Sequence, residues 1–370
     1  MPGEKIANRQ LFFILFMIRC NIAVAFLPVL TTADAYQDAW ISAIVQFFPA
    51  ALLLLFFGGL GPRYPDLTVA QYSEKLLGRW PGKALTLTIL WAFLHMAAVE
   101  VRIYADMLVT VFLPDTPLLF LVTAMVIVSA AAAYSGIEVI GRAADLLFPL
   151  YLLMIIGSLL LPLPLLKSML YNLEPVFARG VGPVLRGAVT PAAVTAQFLT
   201  LTMLLPFLTQ PKKGLRSALG ALAWSSAILI PISLVTAAIL GPSPAARALF
   251  PFFKMVRAVA LSEFIERIEA LAVFAWGLGL FVEVAAYLFC GARGLSQVLG
   301  LKDYRPLILP LAVIWIVLGV HVSKNAFQLL TFFKPAFFAP YALALMILPF
   351  ALLWAAHLFR QFSGRRSGDR

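Results

Sequence analysis

Residues 261–292, LSEFIERIEALAVFAWGLGLFVEVAAYLFCGA, decide how this chain is read. The stretch is apolar and long enough to cross a bilayer as a helix, which takes roughly 20 residues. It nevertheless opens with Glu263, Glu266, Arg267 and Glu269, and it carries Glu283 deeper in. Arg267 follows Glu263 by four residues, so on a helix the two side chains meet. Ionisable groups inside a span are costly; they face the bundle interior, where they pair or line a pathway. The alternative for the first cluster is a cap at the membrane surface, with Arg267 neutralising its neighbours. Glu283 lies too deep to reach water easily, so that alternative suits it less.

Composition agrees with the stretch. Of 370 residues, 62% are hydrophobic and only 12% charged, against about 25% charged in ordinary soluble domains. The chain is an integral membrane protein whose partner along its length is the lipid bilayer. The first apolar run is not preceded by a segment resembling a removed signal peptide. Cys20 and Cys290 both fall inside spans and read as small apolar fillers rather than a disulfide. The net charge of +11 reflects orienting loops, not a nucleic-acid partner.

Hydropathy places ten spans near 10–30, 39–60, 84–113, 117–136, 144–166, 188–208, 217–241, 264–291, 306–322 and 336–359. Connections on the side of the N-terminus, with both terminal segments, carry 17 Lys and Arg; the opposite connections carry 8. Both termini are therefore expected in the cytoplasm. On the outer side, 167–187 and 242–262 hold apolar residues at helical spacing and read as short interfacial helices, with Phe252, Phe253 and Met255 turned toward lipid or protein. Residues 66–80 on the inner side have the same amphipathic look. The basic tail 360–370 is attracted to anionic headgroups.

Ten spans divide into five and five, about 10–166 and 188–359, and an odd number per half inverts the second half. Inverted halves with broken helices at the midplane characterise secondary transporter folds. Span 1 carries Arg19-Cys20-Asn21 and Pro28; span 6 carries Thr190-Pro191, Thr195, Gln197, Thr200, Thr202 and Pro206. Matching polar interruptions point to breaks in spans 1 and 6. Alternatively, neighbouring helices satisfy the groups that Pro and Thr free. Neither place carries a glycine pair.

Span 3 holds His95, Glu100, Arg102, Tyr104 and Asp106. Arg102 and Asp106 are four apart and can pair; Glu100 and Arg102 are two apart and cannot. Glu100 must find a partner elsewhere, Arg19 of span 1 or a polar group of span 8. His95 reads as a satisfied core histidine, and His321 and His357 as residues snorkelling at span ends. No nucleotide loop, HExxH, nucleophile elbow or Cys/His ligand spacing occurs. Neither catalysis nor a metal or other cofactor is expected.

Several segments together resemble the B-type membrane subunit of spore germinant receptors, within the amino acid–polyamine–organocation transporter superfamily. They are 250–271 (FPFFKMVRAVALSEFIERIEAL) with Trp276 and Gly277, the opening of span 2 at Asp38-Ala39-Trp40-Ile41, the 136–142 segment GIEVIGR, and Leu204-Leu205-Pro206-Phe207. The resemblance covers nearly the whole chain. It implies an all-α, LeuT-like fold of ten helices with helices 1 and 6 broken. It further implies a pocket for a small germinant, usually an amino acid, between helices 1, 3, 6 and 8. Its partners would be a larger A-type subunit and a lipid-anchored C-type subunit, in the inner membrane of an endospore.

In such a pocket, half-helix N-termini suit a carboxylate, which assigns that role to the backbone of Asn21, Ile22, Ala23 and Val24 and of Val194, Thr195, Ala196 and Gln197. An amine would need Gln197, Glu100 or released carbonyls, and Tyr104 and Trp276 would wall the side chain. Gln197 stands about where the family often carries an acid, so the contact to an amine or ion falls to Glu100 or Glu283, or the germinant differs. A proton- or sodium-coupled amino acid transporter shares this fold, and fold alone does not decide between them. A scaffold that binds no ligand is the third reading.

Overall fold

The computed structural model describes residues 4–258 and 269–368. The first half of the chain forms α1 Asn8–Ala35, α2 Ala39–Val45, α3 Phe47–Gly58, α4 Val69–Leu77, α5 Arg79–Val111, α6 Leu118–Ser135, α7 Ile137–Leu160 and α8 Leu163–Met169. The second forms α9 Val181–Ala193, α10 Thr200–Leu204, α11 Gly214–Leu240, α12 Pro242–Arg247, α13 Pro251–Arg257 and α14 Glu269–Leu299. It ends with α15 Ile308–His321, α16 Ala326–Phe332, α17 Pro335–Ala342 and α18 Leu348–Gly368. The one β contact among the described residues is a bridge between Ile6 and Leu208.

Eight of these helical segments are long and apolar enough to cross a membrane, or nine if α15 and α16, bent by 100°, count as one span. The first segment, Phe26–Arg63, joins the end of α1 to α2 and α3, so α1 and the α2–α3 pair fill the first two expected positions. The ninth position is the short one. The 14 residues of α15 rise about 21 Å, less than the roughly 30 Å of bilayer hydrocarbon. Within the second span, α2 stops at Val45 because Pro49 has no N–H to give that carbonyl.

One expected break is absent. The α1 helix runs without interruption through Arg19-Cys20-Asn21 to Ala35. The physical reason is lateral: Arg19 and Asn21 find partners on other helices and leave their own helical bonds in place. Thr31 and Thr32 turn their hydroxyls back onto the carbonyls of Leu27 and Pro28 around the proline. The sixth span does break: α9 ends at Ala193, and a 3-10 segment, Val194–Leu199, separates it from α10.

Of the two connections expected to hold interfacial helices, the second places α12 and α13 against the protein, whereas α8 and the 3-10 turn Leu170–Leu173 of the first bury no residue. Phe252, Phe253 and Met255 of α13 are buried in the core, which settles the expected choice between lipid and protein. The amphipathic segment 66–80 forms α4, whose Thr68 caps it by accepting from Gln71 N. On the face bearing the termini, the N-terminal residues stitch several spans together. Ile6 N donates to Phe207 O at 2.8 Å, Lys5 Nζ to Pro206 O at 2.7 Å, and Arg9 pairs with Asp145 at 3.1 Å. Gly136, at φ 105°, turns the α6–α7 corner; a side chain there would also strike the Glu4 carboxylate, 2.5 Å from where its Cβ would stand.

Candidate ligand site between four helices

Four helices bring polar side chains to one buried place. Glu100 comes from α5, Glu283 from α14, Gln197 from the 3-10 break of the sixth span and Asn21 from α1, all at 3% exposure or less. Gln197 Nε2 donates to Glu100 Oε1 and, at 3.3 Å, to Glu283 Oε1. Asn21 Nδ2 donates to the other Glu283 oxygen at 2.8 Å, and Tyr151 OH reaches Asn21 Oδ1 at 3.5 Å. Tyr287 follows Glu283 by one helical turn and so shares its helix face, and its hydroxyl is buried without a hydrogen-bond partner. Two carboxylates from distant spans thus share one amide.

Local sequence explains the approach. The α14 helix presents glycine where its neighbours come closest. A Cβ at Gly279 would stand 2.0 Å from Asn21 Oδ1, and one at Gly277 2.5 Å from Tyr104 OH. Seven residues separate Trp276 from Glu283 and four separate Glu100 from Tyr104, so each pair shares a helix face. The rings of Tyr104 and Trp276 meet edge to face at 5.2 Å, and Trp276 stacks on Phe253 at 5.5 Å.

Charge is unevenly distributed here. The buried cation of α1, Arg19, does not reach Glu100, contrary to one of the two expectations for that acid. Its guanidinium donates instead to Gln46 Oε1 at 2.7 Å and to Pro191 O at 2.8 Å. The partner comes from neither expected place: it is Gln197 of the sixth span, an amide that Glu100 shares with Glu283 of span 8. Arg102 pairs with Asp106 at 3.0 Å, as their spacing predicts. No ion pair among the described residues involves Glu100 or Glu283. Buried charges cost several kcal/mol each unless compensated, so a cation or a proton belongs with this pair.

The unfilled hydrogen-bonding capacity includes donors, the Trp276 indole N–H and the Tyr287 hydroxyl, as well as acceptors. Glu100 Oε2, Gln197 Oε1 and Thr195 Oγ1 are buried without a partner. The break in the sixth span likewise turns carbonyls outward: Pro191 O takes Arg19, Gln197 O takes Thr200 Oγ1 at 3.1 Å and Leu199 O takes Thr202 Oγ1 at 2.7 Å. The expected N–H cradle for a carboxylate is not formed. Asn21 and Val24 lie in an unbroken helix, as does the backbone of Ile22 and Ala23. Val194, Thr195, Ala196 and Gln197 lie in a 3-10 segment whose N–H groups stay in the chain's own bonds, as Val194 N does to Thr190 O and Ala192 O. Of the opening cluster of acids, Glu269 starts the described part of α14 and is buried; Glu263, Glu266 and Arg267 lie outside the described residues.

Sequence reasoning missed Gln46, Tyr151, Tyr287 and Gly279. Tyr287 carried a signal, standing four residues after Glu283. Gln46 carried a weaker one, as a lone amide in an apolar span. Elsewhere, His95 bonds Tyr341 OH and His357 bonds Tyr64 OH, each at 2.8 Å. That satisfies His95 in the core as expected, whereas buried His357 is held by a partner rather than snorkelling.

An all-helical bundle with a polar centre on a broken helix is the architecture of LeuT-like transporters, and solved structures agree. A nucleobase-cation-symport-1 family transporter, solved closed with bromovinylhydantoin bound, superposes with a TM-score of 0.68 at 13% identity, covering 93% of this chain and 78% of that one. MhsT, solved in complex with L-phenylalanine, superposes with a TM-score of 0.64 at 15% identity, covering 96% and 99%. Residues 5–327 match the family described as spore germination protein, and the chain belongs to that family. It is 26% identical over 330 residues to spore germination protein KB of Bacillus subtilis (strain 168), spanning 88% of this chain and 87% of that protein.

Proposed function

We propose that this chain is the germinant-sensing B-type subunit of a spore germination receptor, and that it binds a small nutrient amine, an amino acid above all, between α1, α5, α14 and the broken sixth span. The observation that carries the reading is the pair Glu100 and Glu283, joined through Gln197, with no cation in ion-pair contact among the described residues. An ammonium group supplies both the missing charge and the donors that Glu100 Oε2, Gln197 Oε1 and Thr195 Oγ1 lack. Filling such acceptors removes a cost of about 1–3 kcal/mol each. Tyr104 and Trp276 form the aromatic wall beside it.

Binding there acts on the relation between helices. Gln197 and Asn21 join the sixth span and α1 to the acids of α5 and α14. A ligand that takes over Glu100 and Glu283 favours the state in which those amides let go, and it shifts the population by its difference in affinity. The signal then passes to A-type and C-type partner subunits. The chain would sit in the spore inner membrane as one transmembrane domain with inverted halves and both termini cytoplasmic, as the Lys and Arg distribution supports. It would act as a receptor, not an enzyme.

The test is a thermal-shift screen of purified protein against amino acids, sugars and nucleosides, since a ligand of the native state raises the melting temperature by mass action. An amino acid that stabilises the wild type and loses its effect in Glu100→Gln and Glu283→Gln supports the reading. Equal stabilisation in both variants overturns the site. The same acid pair also suits a proton- or sodium-coupled transporter. Uptake of that amino acid into proteoliposomes, driven by a proton or sodium gradient, decides for transport; binding without uptake decides for the sensor.

A further inference from the structure

We infer that the cavity on the face opposite the termini is a second binding site, for a small organic carboxylate, held by Arg186, Arg247 and Lys334. The cavity measures about 640 Å³, within the usual size of ligand pockets. Its cations come from segments far apart in the chain: Arg186 from α9, Arg247 from the end of α12 and Lys334 from the residue before α17. That face carries only 8 of the 28 Lys and Arg, yet three of them line one cavity. None of the three forms an ion pair among the described residues.

One carboxylate, Asp34 at the end of α1, lines the same cavity. Three cations against one acid leave the cavity positively charged, and a guanidinium matches a carboxylate with paired donors. Tyr36 and Ser243 add hydroxyls to the wall, so the lining suits a polar solute.

This site is separate from the acid pair. Along α1, Phe26 stands between Asn21 of the acid site and Val29 of the cavity, with its ring 5.8 Å from Phe250 and 5.9 Å from Phe333. The two places are nonetheless joined through α9. Thr190 lines the cavity and donates to Phe333 O at 2.9 Å, and the next carbonyl, that of Pro191, is the one Arg19 holds at the helix break. A carboxylate drawn to Arg186 therefore bears on the half-helix that ends at the candidate amine site.

The experiment uses the full chain in nanodiscs of neutral phosphatidylcholine, labelled with arginine-specific phenylglyoxal and mapped by mass spectrometry while succinate is titrated. Saturable protection of Arg186 and Arg247, with Arg142 on the other face unprotected, is expected. Lys334→Gln should raise the succinate concentration for half-protection about tenfold, the loss of one charged hydrogen bond. Protection is expected with no amine present, which keeps this test distinguishable from that of the amine site. Absence of protection in protein with wild-type circular dichroism overturns the proposal. So does protection that needs phosphatidylglycerol in the disc and ignores succinate, for that would mark a lipid headgroup contact.

Discussion

The guanidinium of Arg19 donates to the carbonyl of Pro191 at 2.8 Å, at the point where α9 passes into the 3-10 segment of the sixth span. The end of a helix carries partial negative charge and unfilled carbonyls, and here a buried cation from another helix meets both. The same Arg19 nitrogen donates to Gln46, whose amide reaches Ser226 Oγ at 3.3 Å. One guanidinium thereby ties α1, the second span, the sixth span and α11 together. Among the described residues, the acids of α5 and α14 stand outside that network and meet its helices through Gln197 and Asn21.

Arg19→Met is expected to lower the melting temperature of the purified protein, because it strips Pro191 O and Gln46 Oε1 of a charged donor. The cost is about 1.5–3 kcal/mol per bond of this kind. Arg19→Lys, which keeps the charge but not the fork, should recover only part. Unchanged melting in Arg19→Met would show that the cap contributes nothing.

Gly279→Ala tests the approach of α1 to α14. A Cβ would stand 2.0 Å from Asn21 Oδ1, so the Asn21 side chain must leave Glu283 or the helices must part. Overpacking of this kind costs about 1–3 kcal/mol. Affinity for the stabilising ligand should fall while helix content by circular dichroism stays the same. Wild-type affinity would mean that Asn21 is not part of the site.

Gln197→Glu places a third carboxyl between two others and removes the amide both accept from. The ligand-free variant should melt lower than wild type, and it should gain more stability from a dication such as a diamine than from a monoamine. Gln197→Leu should lose the response to any amine. A diamine preference equal to that of the wild type would count against the charge argument.

Arg102 and Asp106 offer a double-mutant cycle. Removing one partner of a buried pair leaves the other uncompensated, at about 3 kcal/mol in Arg102→Met. Asp106→Leu added to Arg102→Met should restore much of that loss. Additive losses in the double variant would show that the 3.0 Å pair is not a coupled unit.

Much of this protein follows from local chemistry. Apolar runs of spanning length mark membrane helices wherever they occur, because lipid leaves backbone groups no partner but each other. Residues four apart meet on any helix, which is why the Arg102–Asp106 pair was legible before any fold was known. The break at Val194–Leu199 was signalled by Thr190-Pro191 just before it. The pairings between spans were a different matter. Glu100 and Gln197 are 97 positions apart, and Gln197 and Glu283 86. Nothing local sets how two helices are rotated about their axes.

That rotation decided the site. It carried Arg19 away from Glu100 and onto Pro191 O, and it left α1 unbroken where its sequence looked as interrupted as that of the sixth span. It also brought Arg186, Arg247 and Lys334 to one cavity from three separate segments. The sequence by itself determined which side chains are buried in apolar surroundings and must find a partner. Only the packing of helix on helix decided which partner, because a buried polar group takes whatever donor or acceptor the neighbouring helix turns toward it.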